Sequence, residues 1–324
     1  MKTTLDVLLL LALPASGKSE VRKFLAAHGP EECRSLFFLG PTVQLDDYPY
    51  VHLMRRIDDE LERMGQPRVF FRSSEEGFAD PRDWITLIEL LNDDWASLHR
   101  PPADLPPRCA GTLMDRIEAA SDRAGIGPRL ARLRTDRRRA LEDELETESR
   151  MLLEDLQEAI PPSLEGRTVV IEFARGGPDG SAMPLPDPLG YRASLQRLAP
   201  DLLAKAAVLY IWVTPEESRR KNQERADPTQ PGSILHHGVP LPVMLGEYGC
   251  DDMEWLIGQS DRPGTLRVEA HGRTFHLPAA RLDNRVDRTT FVRGPRDQWD
   301  PGAVETLRSA LHDALKSLAS TPRD

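Results

Sequence analysis

The stretch Leu5-Asp6-Val7-Leu8-Leu9-Leu10-Leu11-Ala12-Leu13-Pro14-Ala15-Ser16-Gly17-Lys18-Ser19 decides the fold. From Leu5 to Leu11 the residues are nearly all branched and apolar, the pattern of a strand buried on both faces of a parallel sheet. Pro14-Ala15-Ser16-Gly17 breaks that strand. From Lys18 to Ala27 the residues Val21, Phe24 and Leu25 fall at helical spacing, and His28-Gly29-Pro30 stops the helix. With Lys2 ahead of it, the same run loosely imitates a secretory leader, but Asp6 interrupts the apolar block.

Outward from this unit, Thr42 to Leu45, Thr168 to Phe173, Ala206 to Val213 and residues 279–283 read as further strands. Helices are expected at Pro49 to Met64, Asp80 to Leu98, 190–204, Pro215 to Arg225 and 300–318, with a hairpin at 265–277. Strands alternating with helices are the signature of a doubly wound α/β sheet. Dense prolines between His99 and Pro107 open a helical insertion over 99–165, which divides the core into 1–98 and 166–324. The main element of the insertion, Pro128 to Ile160, carries a leucine stripe: Leu130, Leu133, Leu141, Leu145, Leu152 and Leu156. Such a stripe suits a solvated helix or helical hairpin packed on the main domain, or else a surface for a protein partner or self-association.

The 324 residues suffice for a sizeable core, and a formal net charge of −10 argues against a protein that coats nucleic acid. Cys33, Cys109 and Cys250 are too few and too scattered for a disulfide framework or a thiolate metal site, which fits a reducing cytoplasm. No run approaches the roughly 18 apolar residues needed to span a bilayer.

Ala12 to Ser19 matches the phosphate-loop pattern GxxxxGK[ST] except at its first position, where alanine replaces glycine. In such a loop the backbone N–H groups of Leu13, Pro14's neighbours Ala15 and Ser16, Gly17, Lys18, Ser19 and Glu20 would converge on phosphates, aided by the helix N-terminus. Lys18 would reach the outer phosphates and Ser19 would take one position on Mg2+. A methyl group at Ala12 is tolerable if its φ is negative.

The run Leu13 to Ser19 resembles the loop of the nucleoside and nucleotide kinase branch of P-loop NTPases. Val43-Gln44-Leu45-Asp46-Asp47-Tyr48 is similar to the strand end of uridine kinases and nicotinamide riboside kinases. That resemblance implies a P-loop three-layer α/β/α sandwich and makes Asp46 the catalytic carboxylate, with Asp47 the alternative; both could instead cap the following helix. Val169-Val170-Ile171-Glu172 resembles the strand whose acid helps hold Mg2+, although Glu172 could equally pair with Arg175, and Arg175 and Asp47 could touch substrate. Pro215 to Arg225 is similar to a lid helix, in which Arg220 and Arg225, with Arg219 third, would offset phosphoryl charge; the lid would run to about 263. Arg281-Leu282-Asp283-Asn284 is similar to the strand and turn lining the base pocket, which implicates Asn284.

The expected activity is therefore transfer of a phosphoryl group from ATP, with Mg2+, to a small nucleoside-, nucleotide- or metabolite-like acceptor. A nucleotide-dependent switch or ATPase regulatory module is the alternative of a different class, and a polynucleotide kinase is disfavoured by the acidic balance.

Overall fold

The computed structural model describes residues 4–225 and 238–322, with Arg225 described in its backbone alone. Strand β1 (Val7–Leu11) is followed by α1 (Lys18–Ala26), α2 (Pro30–Phe37) and β2 (Thr42–Asp46). Four helices come next: α3 (Tyr48–Arg63), α4 (Asp83–Ser97), α5 (Cys109–Arg123) and α6 (Thr135–Glu158). The chain returns to the sheet as β3 (Thr168–Phe173), then forms α7 (Gly190–Arg197), α8 (Pro200–Leu203), β4 (Ala206–Trp212) and α9 (Pro215–Arg225). Beyond 237 lie α10 (Leu241–Gly246), α11 (Met253–Gly258), β5 (Thr265–Ala270), β6 (Arg273–Asp283) and α12 (Pro301–Ser320).

The six strands form one sheet in the order β2-β3-β1-β4-β6-β5, parallel throughout except for β5 against β6. Helices cover both faces, as the doubly apolar strands demand. On one face Leu8, Leu10 and Val170 pack with Val21, Phe24 and Phe37 of α1 and α2 and with Leu307, Leu311 and Leu315 of α12. On the other, Leu9, Leu11 and Ile171 meet Ile88 and Leu91 of α4, Leu195 of α7 and Leu256 of α11. Among the described residues no helix is long and apolar enough to cross a membrane.

Several boundaries differ from those read off the sequence. The helix from Lys18 does stop before His28-Gly29-Pro30, ending at Ala26, but a helix not read off the sequence follows at once: Pro30 opens α2 from an extended Gly29, because proline's fixed φ and missing N–H suit a first helical turn. Pro200 likewise starts α8 after Leu198 and Ala199 extend, so the expected helix 190–204 is two pieces. The hairpin strand and the strand at 279–283 are one continuous β6. Its first half pairs with β5 and its second with β4, and Pro278 sits at the handover, where a missing N–H is tolerated.

The helical unit is also larger than 99–165. Leu53, Met54 and Ile57 of α3 share a core with Trp84 and Leu87 of α4, Leu113 and Ile117 of α5, and Leu141 and Leu145 of α6. Part of the leucine stripe is thus spent inside the chain, while α6 begins only at Thr135. Helix α5 has no counterpart in the sequence reading, although Ala110, Leu113, Met114 and Ile117 keep helical spacing. Carboxylates lock this unit together: buried Asp58 accepts the N–H groups of Val69, Phe70 and Phe71, and buried Asp83 is paired with Arg129 at 2.6 Å.

Candidate functional site

At the end of β1 the chain turns sharply into α1. Ala15 (φ 55°) and Gly17 (φ 106°, ψ 11°) adopt left-handed conformations, which aim successive N–H groups toward a common concavity. A Cβ on Gly17 would lie 2.6 Å from the Thr289 hydroxyl, so glycine is required there for space as well as for φ. Ala12 is not among the left-handed residues, and its methyl is buried with Leu10 and Val21, so the alanine is accommodated. The first return bond of α1 runs from Val21 N–H to Gly17 C=O, and no side chain caps its N-terminus. The amides of its first turn are therefore not taken by a side-chain cap, as an anion site needs. Lys18 Nζ lies back on this loop, 2.9 Å from the Ala12 carbonyl and 3.4 Å from that of Leu13.

The loop is held from behind by side chains of α9 and of the turn after β6. Ser218 of α9 donates to the Pro14 carbonyl at 2.7 Å. Asn284, fully buried, donates to the Ser16 carbonyl at 2.8 Å and accepts the Arg288 N–H. Asn284 thus supports the loop's backbone and does not line an open base pocket, which corrects the role expected of it. Glu20 is buried and takes Arg293 Nε at 2.7 Å, so its side chain pins the turn at 290–293 while only its N–H stays with the helix start. Leu13 points away into the core of the helical unit.

Facing the loop are the ends of β2 and β3, whose register sets Asp46 beside Glu172 and Glu172 beside Leu10. All three project toward α1, because side chains in register on parallel strands share a face. Arg22 of α1 meets them there, 2.9 Å from Glu172 and 3.8 Å from Asp46. Burial pushes Glu172 up to about 7, with Asp46 adding to the shift and Arg22 and Lys18 opposing it. Burial and the adjacent Asp47 push Asp46 up to about 6, against the Tyr48 N–H and Arg22. Two carboxylates crowded by burial and by acidic neighbours make a place that favours positive charge.

One residue on, the chain has left β2, and Asp47, in a helical conformation (φ −83°, ψ −12°) ahead of α3, turns to the opposite side. There Arg175, 1% exposed, donates to Asp47 at 2.6 Å and to the carbonyls of Ala174 and Trp84, and it stacks on the Trp84 and Phe173 rings. The expected substrate roles of Asp47 and Arg175 give way to a sealed structural pair. Arg175 also does not pair with Glu172, whose partner is Arg22.

On α9, Arg220 is half exposed and held by Glu217 at 2.6 Å and by Glu224 on its own helix, away from the loop. It does not join the loop in this arrangement. Arg219 pairs with Glu216 at 3.3 Å and lines a cavity of about 160 Å3 with Asn222, Val239 and Met244, and its Nη1 is buried without a partner. The Arg225 side chain lies outside the described residues, as does the stretch 226–237 of the expected lid.

Among the described residues no three His, Cys, Asp or Glu side chains form a metal cluster of their own. Mg2+ bound with a nucleotide needs few protein ligands, since phosphates and water complete its shell. Glu172 Oε1 is buried and finds no hydrogen-bond partner, its contact with Arg22 being ionic only, so Ser19 at the loop and Glu172 opposite fit that arrangement. Compared with known proteins, the chain matches no family model and no curated sequence.

Proposed function

We propose that the chain is a P-loop nucleotide-binding enzyme of the nucleoside and nucleotide kinase type, which transfers the γ-phosphoryl group of Mg-ATP to a small hydroxyl- or phosphate-bearing acceptor. The observation that carries this reading is the meeting, at one edge of the sheet, of a glycine-lysine loop with uncapped amides and a buried carboxylate pair. Each half alone has a bland explanation. Together they supply the two things phosphoryl transfer needs, charge neutralisation around the phosphates and a base at the acceptor.

Lys18 and the amides of Leu13 and residues 15–20 hold the phosphates, while Ser19 and Glu172 hold the metal. Bound Mg2+ supplies neutralisation of the charge on the phosphoryl oxygens. Asp46, part-exposed and fixed by the Tyr48 N–H at 2.8 Å, orients the acceptor hydroxyl and takes its proton. Arg219 and Arg225 supply positive charge from α9. The position also agrees with the rule that open α/β sheets bind ligands outside the carboxyl ends of strands where the order reverses: β1 lies between β3 and β4, and the chain crosses it between them.

Leu13 favours a second reading. Its burial in the core of the helical unit couples the loop to 48–158, the connection that a nucleotide-dependent switch would use.

The test is Mg-ATP turnover by the purified protein against a pooled nucleoside and metabolite library, with Lys18→Ala and Asp46→Asn beside it. Acceptor-dependent transfer lost in both variants supports the kinase. Tight ATP binding with no transfer to any acceptor sinks it in favour of the switch.

A further inference from the structure

The geometry points to Arg22 as a placeholder cation: it occupies the Glu172–Asp46 pair so that a divalent ion binds there with a nucleotide's phosphates and not by itself. This rests on the phosphate-loop reading above.

Arg22 lies four residues beyond Lys18 on α1, so both side chains rise from one helical face toward the strand ends. Its guanidinium reaches Glu172 at 2.9 Å and Asp46 at 3.8 Å, the two groups that a metal would approach from the loop. Lys18 also acts on the pair through its charge, with its Nζ on the Ala12 and Leu13 carbonyls. Arg22 makes the direct ion pairs.

A comparison with Arg175 shows that Arg22 is not built in for good. Arg175 is sealed at 1% exposure, with its Nη atoms on a carboxylate and two carbonyls and aromatic rings against its guanidinium. The Nε of each arginine is buried with no acceptor, but the Arg22 side chain is about a third exposed. A side chain with solvent on one side can swing away without opening the core.

Charge decides what displaces it. A bare divalent ion at Glu172 would meet a guanidinium competing for the same oxygens, with Lys18 adding repulsion. An ion arriving on a triphosphate brings negative charge that offsets its own and gives the displaced guanidinium a new partner. Arg22 is thus a positioning residue for the acidic pair and a device that links metal binding to nucleotide binding.

The experiment is calorimetric titration of Mn2+, without nucleotide, into the full-length chain and into Arg22→Gln, Arg22→Lys and the double variant Arg22→Gln/Glu172→Gln. Arg22→Gln should bind Mn2+ alone about tenfold more tightly than the parent or more, given the repulsion removed. Arg22→Lys should stay near the parent, and the double variant should lose the gain. Arg22→Met replaces Arg22→Gln if the latter does not fold. Equal Mn2+ affinity with and without Arg22, or a gain that survives Glu172→Gln, overturns the role of Arg22 and leaves the loop reading intact. A fluorescent ATP analogue titrated in parallel with Mg2+ reports on the loop: no binding by the parent chain overturns the phosphate-loop reading and this linkage with it.

Discussion

Asp46 and Asp47 are chemically identical neighbours, yet Asp46 ends β2 while Asp47 already has the helical backbone that leads into α3, and that turn sends them to regions built on opposite terms. On the α1 side, Asp46 shares Glu172 and a part-exposed Arg22, and polar atoms remain unspent. On the α4 side, Asp47 is closed against a buried Arg175 sandwiched by aromatic rings. The first arrangement leaves charge available to something that arrives from outside. The second consumes its charge internally and ties β3 to the helical unit. A cation with solvent beside it at one place and a cation enclosed on every side at the next is what separates a working site from a structural joint.

The sharpest way to break this comparison is to mutate the two sides in parallel. Asp46→Asn should cost transfer about 10^2- to 10^4-fold, the usual worth of a positioned base, with little change in a denaturant melt. Arg175→Ala should do the reverse, costing about 3–5 kcal/mol of stability because Asp47 is left buried and unpaired. If Arg175→Ala leaves the unfolding midpoint unmoved, the α4-side pair is not the joint described.

Acidity sharpens the same contrast at smaller scale. Asp46, raised to about 6, and Glu172, raised to about 7, hold protons in the folded chain that the unfolded chain has released. Their contribution to stability is full below their ordinary values near 4 and is lost as pH rises through about 6 to 7. Glu247 and Asp251, also raised by burial, act in the same direction. The readout is therefore a difference: thermal melts of the parent chain should fall more steeply from about pH 5 to pH 8 than those of Asp46→Asn/Glu172→Gln. Parallel slopes would mean that the α1-side pair is not under strain.

The smallest effect belongs to the loop backbone. Ala15 holds φ 55°, a conformation that costs an alanine more than a glycine. Ala15→Gly should raise stability by about 1 kcal/mol or less, since relief of the folded state is partly offset by a freer unfolded chain. A clear loss of stability on that substitution would show that the methyl, 8% exposed, packs more than it strains.

Much of this was legible in the order of residues. Leu5 to Leu11 announces a buried strand because parallel strands are covered on both faces, and Gly17-Lys18-Ser19 announces a strand-to-helix turn because only that geometry joins such a run to the helix of Val21, Phe24 and Leu25. The alternation of strands and helices gave the α/β class for the same local reason. Periodicity and turn chemistry are properties of neighbours along the chain.

What neighbours along the chain cannot state is which distant side chains meet. That Arg22 faces Glu172, that Arg175 seals Asp47, and that Ser218 and Asn284 hold the carbonyls of Pro14 and Ser16 depends on strand order and register, which bring together residues 128 to 268 positions apart. The same limit hid the extent of the helical unit, since α3 belongs with α5 and α6 only once their apolar faces are folded onto one another. Sequence by itself determined the loop, its strand and its helix; only the tertiary structure decided which carboxylates stay available and which are spent, because burial and pairing of a charge are set by whatever packs across from it.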